Sequence, residues 1–243
     1  MRLDQRLVEL GYYQTRARAS DAISRGAVSI NGNMAKKAGQ KVGNDADINV
    51  DDPASTYVSR AALKLKAGLE YYGFDVADKT AIDIGASTGG FTQVLLEQDA
   101  KHVIAVDVGH NQLHASLVNH PSITQYDGLN ARELGIEHLT GHQIDIVVSD
   151  VSFISLKLAL PPALSLAKSG AVAILLIKPQ FEAGKDAIGK GGLLKDPTLA
   201  EKIAEDLRLW LDAQPNWSAL DVIPSPILGG DGNREFLIGG VKI

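Results

Sequence analysis

Apolar residues recur along this chain in two rhythms, and the change between them falls near residue 50. In the first stretch the spacing is helical: Leu3, Leu7 and Leu10, then Ala19, Ala22 and Ile23, predict helices over 3–10 and 16–24. Gly26 is placed to close the second helix in the left-handed conformation. Ala27-Val28-Ser29-Ile30 then alternates as a strand. Asn31-Gly32 is a strong hairpin signal, because both turn positions must tolerate positive φ, and another short strand is expected at 47–50. Asp51 to Thr56 is acidic, carries Pro53 and has no period, so 51–57 reads as a linker between a domain at 1–50 and one at 58–243. Helical spacing returns from 57 to 72 and closes at Gly73.

Beyond Lys79 the rhythm changes to strand and helix in alternation. Strands are expected at 80–84, 103–107, 122–126, 144–149, 171–177, 217–222 and 235–241, and helices at 89–98, 111–118, 156–168 and 197–213. Only 128–143 lacks a clear pattern. Such alternation predicts an α/β fold with a mainly parallel, Rossmann-like sheet and helices on both faces. The last connection, IPSPILGGDGNR, has no helical pattern. A parallel crossover needs a helix, so the last strand should run antiparallel. Its first residue, Glu235, then lies at the same edge as the carboxyl ends of the parallel strands, where ligands of such sheets bind.

Composition narrows the class. The chain has 243 residues, 45% of them apolar, enough for one large α/β domain and a small appendage. There is no cysteine, which excludes thiolate nucleophiles and cysteine-held metals and fits a cytoplasmic setting. MRLDQRLVEL reads as an amphipathic helix, with no apolar stretch after its charges. The longest aliphatic run, 171–177, is far short of the ~20 residues of a membrane span. The net charge of −5 is uneven: residues 1–43 carry eight Lys/Arg against three Asp/Glu, leaving −10 for the rest. A small basic segment on a larger acidic one points to a polyanionic partner.

RARASDAISRGAVSINGNMAKK resembles the S-four type RNA-binding domain over roughly the first fifty residues. The resemblance implies that Arg16, Arg18, Arg25, Lys36, Lys37 and Lys41 face RNA phosphates, with affinity that falls steeply with salt. The plain alternative is a solvated face of a small helical domain.

The run TAIDIGASTGGFT, 80–92, joins the first strand to its helix, and three chemistries use that shape. Gly85-Ala86-Ser87-Thr88-Gly89 satisfies the G-x-S-x-G of a nucleophile elbow, but that elbow needs an acid and then a histidine late in the chain. All six histidines lie at or before His142. A dinucleotide turn needs a second glycine where Ser87 stands, and the serine would crowd a pyrophosphate. S-adenosylmethionine has no phosphate, so the turn Gly85, Ala86, Ser87, Thr88, Gly89, Gly90 and Phe91 need only approach its methionine end. Asp83 is placed to meet the cofactor's ammonium group, Asp107 with Val108 to meet the ribose hydroxyls, and Asp127 with Gly128 to meet the adenine end. Each aspartate alone also reads as a cap on the following turn.

Three further charged residues join the same edge: Asp150 ends IVVSD, Lys178 ends AILLIK and Glu235 lies in NREF. A lysine closing an all-apolar strand is costly to bury charged, and a second cation, Lys64 on the preceding helix, would favour its neutral amine. These four match the Lys-Asp-Lys-Glu set of the FtsJ-like ribose methyltransferases. YVSRAALKL, DIGASTGGFT, VSDVSFISL, LLIKPQFE and GNREF, with the basic domain ahead of them, make the whole chain similar to the TlyA-type family, also labelled hemolysin A. The resemblance implies methyl transfer from S-adenosylmethionine to a ribose 2′-hydroxyl, with cytidine of ribosomal RNA or of an assembled ribosomal subunit as substrate and no metal required. It implies a neutral Lys178, held by Asp150 and Glu235, as proton acceptor, and Lys64 as stabiliser of the developing alkoxide. The base itself is carried by the family relation alone. Phe153 and Phe181 either stack on a splayed base or belong to the core, and the Gly/Lys-rich loop 182–196 reads as a lid. Two other functions are weighed against this one: a membrane-active hemolysin, for which no span, basic amphipathic helix or barrel pattern is visible, and a non-catalytic RNA-binding module that keeps the cofactor fold.

Overall fold

Leu3 and Leu7, four residues apart, are completely buried on α1 (Leu3–Glu9), and Ala19, Ala22 and Ile23 are buried on α2 (Arg16–Ser24). The structure, a computed structural model, describes every residue but Asp231 and divides into two compact units, Met1–Thr56 and Tyr57–Ile243. In the first unit the Thr15 hydroxyl accepts from the Arg18 N–H and caps α2. Strands β1 (Val28–Ile30), β2 (Asn33–Met34) and β3 (Ile48–Val50) form an antiparallel sheet in the order β2-β1-β3. Asn31 and Gly32, at φ +50° and +76°, make the hairpin turn.

Residues 51–56, expected as linker, fall within this first unit. Asp52 is the reason: its carboxylate accepts from Arg25 Nη1 at 2.7 Å, Arg25 Nη2 at 2.9 Å, Tyr13 Oη at 2.9 Å and the Ala54 N–H at 2.9 Å. A segment held by four hydrogen bonds is part of the fold.

The second unit is built on one seven-stranded sheet. After α3 (Ala62–Tyr72) come β4 (Thr80–Ile84), α4 (Gly90–Glu97), β5 (His102–Asp107), β6 (Ile123–Asp127) and β7 (Ile144–Ser149). Then follow α5 (Leu156–Ala159), α6 (Pro161–Leu166), β8 (Ala167–Ile177), α7 (Pro179–Glu182), α8 (Leu199–Asp212), β9 (Trp217–Pro224) and β10 (Phe236–Lys242). The order is β6-β5-β4-β7-β8-β10-β9, with β4 parallel to β5 and β7, and β10 antiparallel to both β8 and β9. The antiparallel last strand is as its helix-free connection predicts. Strand sides alternate cleanly. Ile82, Ile84, Val147, Leu175 and Ile177 join a core with Leu160, Ala204 and Leu207 on one face. Ala81, Ile146, Val148, Ile174 and Leu176 join Leu65, Leu69 and Leu95 on the other. The chain leaves β4 in one direction through β5 and β6 and returns to place β7 on its other side, so a crevice opens where β4 and β7 end.

Three expected helices are altered. The segment 57–61 makes turns, because the Val58 N–H is taken by Gln93 Oε1 and the Ala61 N–H by the Ser59 hydroxyl. Residues 111–118 form turns too: Asn111 has φ +53° and gives its N–H to Asp127, while Leu113 and Leu117 still bury their side chains against Gly89. The stretch 156–168 breaks into α5 and α6 at Pro161-Pro162 and yields to β8 at Ala167, since proline cannot supply the N–H an uninterrupted helix needs.

Candidate active site at the carboxyl ends of the strands

Gly85, at φ +84°, turns the chain out of β4. A β-carbon there would lie 3.0 Å from Val151 Cα and 3.1 Å from the Asp150 carbonyl carbon, so only glycine lets the end of β7 come this close. Gly89, at φ +93°, opens α4, and a side chain at Gly90 would meet Ser59 Cβ at 2.9 Å. The glycines expected for a cofactor thus have a packing role of their own: they bring three elements to one crevice.

Two cavities occupy it. One of about 490 Å³ is lined by Gly85, Ser87, Asp107, Val108, Gln112, Leu129, Asn130, Asp150 and Phe153 among others. A smaller one of about 130 Å³ is lined by Ser59, Gly85, Ala86, Ser87, Thr88, Gly90, Phe91, Asp150, Ser152 and Lys178. The Asp107 carboxylate accepts from the Ser87 N–H at 2.8 Å and the Gly109 N–H at 2.7 Å. Each oxygen keeps a lone pair for a hydroxyl at the wall. A cavity lined by apolar side chains, the Asp107 carboxylate and a glycine turn fits a ligand with hydroxyl groups and an apolar body.

The acid–base residues converge as two ion pairs. Lys178 Nζ lies 2.6 Å from Asp150 Oδ1 and donates to the Ser152 hydroxyl at 2.7 Å. Lys64 Nζ donates to Glu235 Oε2 at 2.6 Å, and both side chains are buried. Phe236 pairs with Ile177 across β10 and β8, and the next step of that antiparallel register sets Glu235 across from Lys178. Lys64 is delivered by α3, one turn before Gly68, where a β-carbon would come within 2.9 Å of Ile174 on β8. Gly229 leaves room for the carboxylate, since a side chain there would meet Glu235 Oε1 at 2.6 Å.

Several expected placements change. Glu235 pairs with Lys64 and not with Lys178, because α3 packs near enough to the sheet for Lys64 to reach it. Asp83 lines neither cavity: it is fully buried, with Oδ2 accepting from the Thr92 hydroxyl at 2.7 Å and Oδ1 without a partner among the described residues. Burial raises its pKa to about 7. Asp127 and Gly128 also lie off the cavity walls. Asp127 accepts from the Asn111 N–H and from Gln125 Nε2, which hold its carboxyl below the usual range, and the left-handed turn at Gly128 presents Leu129 and Asn130 instead. In the first unit Arg25 faces inward, its guanidinium spent on Asp21 and Asp52. Lys36, Lys37 and Lys41 are exposed, and Arg16 is half-exposed beside Asp4.

Sequence reasoning did not place Ser152, Gln112 or Asn130 at the site. Phe153 was open between two readings, and the structure exposes 90% of it on the wall of the large cavity, at φ +65° and with its ring 4.9 Å from Phe181.

A Rossmann-like sheet with an antiparallel β10 and a crevice of this kind defines a methyltransferase. Residues 57–242 match the FtsJ-like methyltransferase family and residues 1–48 the S4 domain. The chain belongs to the FtsJ-like methyltransferase family, with an S4 domain ahead of it. It is 40% identical to the 16S/23S rRNA (cytidine-2′-O)-methyltransferase TlyA of Mycobacterium tuberculosis, covering 98% of this chain and 88% of that one. It is 37% identical to Hemolysin A of Brachyspira hyodysenteriae, covering 98% of each. A solved structure from Streptococcus thermophilus, described as a candidate hemolysin, superposes with a TM-score of 0.76 at 36% identity, covering all of this chain and 88% of that one.

Proposed function

We propose that this protein transfers a methyl group from S-adenosylmethionine to the ribose 2′-hydroxyl of a cytidine in ribosomal RNA. The observation that carries the reading is the Lys178–Asp150 pair at the carboxyl ends of β8 and β7, with Asp150 on the wall of the cavity of about 490 Å³ and Lys178 on that of about 130 Å³. The buried Lys64–Glu235 pair lines neither cavity and stands one register step away, where β10 begins. Gly85, Ser87, Asp107 and Val108 would hold the cofactor, with Leu129 and Asn130 toward its base. When bound, S-adenosylmethionine supplies an electrophilic methyl whose leaving group is already in place, so the protein has only to prepare the hydroxyl.

Lys178 does so as the neutral amine: its ammonium first gives a proton to solvent by way of Asp150 or Ser152, both within 2.7 Å of Nζ, and the amine then accepts the hydroxyl proton. General-base assistance of this kind is worth about 10²- to 10⁴-fold. Glu235 holds Lys64 in place, and the remaining N–H donors of Lys64 stabilise the alkoxide that develops. Phe153, exposed at the cavity wall, offers a face for the target base once it leaves its stack. The exposed lysines of the first unit contact phosphates and hold the RNA without reading its sequence. Among the described residues no helix is long and apolar enough to cross a membrane.

The test is methyl transfer from labelled cofactor to purified ribosomal subunits, with the product nucleoside identified after digestion. Wild type should yield 2′-O-methylcytidine, and Lys178→Ala should slow its formation by about 10²- to 10⁴-fold. Label on a base, or label unaffected by the substitution, would refute the reading.

A further inference from the structure

The segments that follow β7 and β8 are tied together rung by rung. At the near end Lys178 Nζ lies 2.6 Å from Asp150 Oδ1. Midway the rings of Phe153 and Phe181 sit 4.9 Å apart, tilted by 48°. At the far end Glu182 Oε2 accepts from the Ser155 hydroxyl at 2.5 Å and Oε1 from the Leu156 N–H at 2.8 Å. The sequence separation holds at 26 to 28 residues from one end to the other, so the two segments advance in step.

The far rung is polar on every side. Ser155 is the N-cap of α5, accepting from the Lys157 N–H while giving its own O–H to Glu182. Leu156 opens the first turn, where an N–H has no partner within the helix, and the carboxylate supplies one. Between the rungs the chain is under tension: Phe153 holds φ +65°, a conformation a side-chain-bearing residue keeps only when its surroundings enforce it. Asp150, Ser152 and Phe153 all line the large cavity, whereas Glu182 lines neither cavity.

We infer that Glu182 is a positioning residue for methyl transfer: by clamping Ser155 and Leu156 it fixes the loop that presents Asp150 and Ser152 to Lys178. It touches no reactant and acts through that loop alone. The inference rests on the acid–base reading of Lys178 given above. Losing the clamp should slacken the loop while leaving Gly85, Ser87 and Asp107 where they are. The loss should therefore fall on kcat and spare the KM for the cofactor.

The experiment uses the full chain with ribosomal subunits and S-adenosylmethionine, and compares Glu182→Ala, Glu182→Gln, Ser155→Ala and Lys178→Ala. Glu182→Ala should lower kcat about 10- to 100-fold, the scale of a small misplacement of reacting groups, with the cofactor KM within about threefold of wild type. Amide exchange should quicken across 150–156. Glu182→Gln keeps a carbonyl for the Leu156 N–H and should restore most of both. Ser155→Ala removes only the hydroxyl donor; it should give a smaller loss of the same kind, and serves if Glu182→Ala does not fold. An unchanged kcat and unchanged exchange in Glu182→Ala, with Lys178→Ala inactive, would overturn the clamp alone. Equal loss in Glu182→Gln and Glu182→Ala would overturn it as well. An active Lys178→Ala would instead refute the acid–base reading, whatever Glu182 does.

Discussion

Both units of this protein bury ion pairs, and they finish them differently. In the first, Arg25 spends Nε on Asp21 and both terminal nitrogens on Asp52, and Asp52 also accepts from Tyr13 and Ala54. Burial opposes the charge on Asp52, yet these donors hold its carboxyl below the usual range. In the second unit Lys64 has one partner, Glu235, among the described residues, and Lys178 divides its donors between Asp150 and Ser152 at a cavity wall. A planar guanidinium with all three nitrogens bonded to carboxylates is a fastener. An ammonium at the end of a strand, on the wall of a cavity, is within reach of a reactant. The two arrangements predict opposite consequences when one partner is removed.

Lys178→Ala should show the largest effect and only on rate: a loss of about 10² to 10⁴ in methyl transfer, with the thermal unfolding of the second unit nearly unchanged. Trp210 and Trp217, the two tryptophans, both lie in that unit, so their fluorescence follows it selectively. A fall in melting temperature matching the fall in rate would place Lys178 with Arg25 as a fastener and erase the distinction.

Arg25→Ala comes next and should act on folding. Leaving Asp52 buried and unpaired costs about 3–5 kcal/mol, a large part of what a unit of this size possesses. Hydrogen exchange over 1–56 should accelerate broadly, while exchange over the seven-stranded sheet stays as in wild type. Arg25→Lys should recover little, because one ammonium cannot reproduce the fork toward Asp52 and the bond to Asp21. Full protection in Arg25→Lys would show that charge alone suffices there.

The contrast also marks what the amino-acid order could reveal. The strand–helix alternation, the antiparallel β10 and the arrival of Asp150, Lys178 and Glu235 at one edge follow from period and connection length, which are local properties. Lys64 was legible only by resemblance, since its burial depends on how closely α3 meets β8 at Gly68. Arg25 and Asp127 went astray for a related reason. Each has a near partner, Asp21 for Arg25 and Gln125 for Asp127, but the second partner that completes its bonding lies 27 or 16 positions away, where no local pattern reveals it. Phe153 depends on a left-handed backbone imposed by its loop, and the helix expected over 111–118 lost to a side-chain acceptor, Asp127, on another strand.

Carboxylates in the two units should respond to pH with opposite sign. Asp83, pushed up to about 7 by burial, keeps its proton in the folded state between about pH 4 and 7, where the unfolded chain has released it. Through this group the second unit is favoured as pH falls across that window and disfavoured as it rises. Asp83→Asn should therefore melt at a higher temperature than wild type at pH 8 and show no gain at pH 4. Asp52 behaves conversely. Its lowered folded-state pKa contributes stability that is present above the ordinary value of 3.8 and lost as pH falls below it. Asp52→Asn should be less stable than wild type at pH 7, with the difference closing in acid. Tryptophan fluorescence for the first variant and exchange over 1–56 for the second measure the two slopes separately. Slopes of one sign in both would remove burial as the cause of the Asp83 behaviour.

The smallest effect separates a fastened charge from a free one on a single surface. Lys36 and Lys37 are exposed, and if they meet phosphates each releases counterions when RNA binds. Replacing either by alanine should then reduce the slope of log K against log salt by about 0.7–0.9 and weaken binding alike for all sequences. Arg16 shares its guanidinium with Asp4 at 2.9 Å, so RNA has to compete with that carboxylate and Arg16→Ala should change the slope by less. Arg25 is wholly committed to Asp21 and Asp52, and Arg25→Lys should leave the slope where it is even if affinity drops with the stability of the unit. Binding titrations of one ribosomal RNA fragment over a range of salt rank the four residues directly. A slope that fell with Arg25 as much as with Lys36 would mean that its internal pairs open on RNA, making it a phosphate ligand after all.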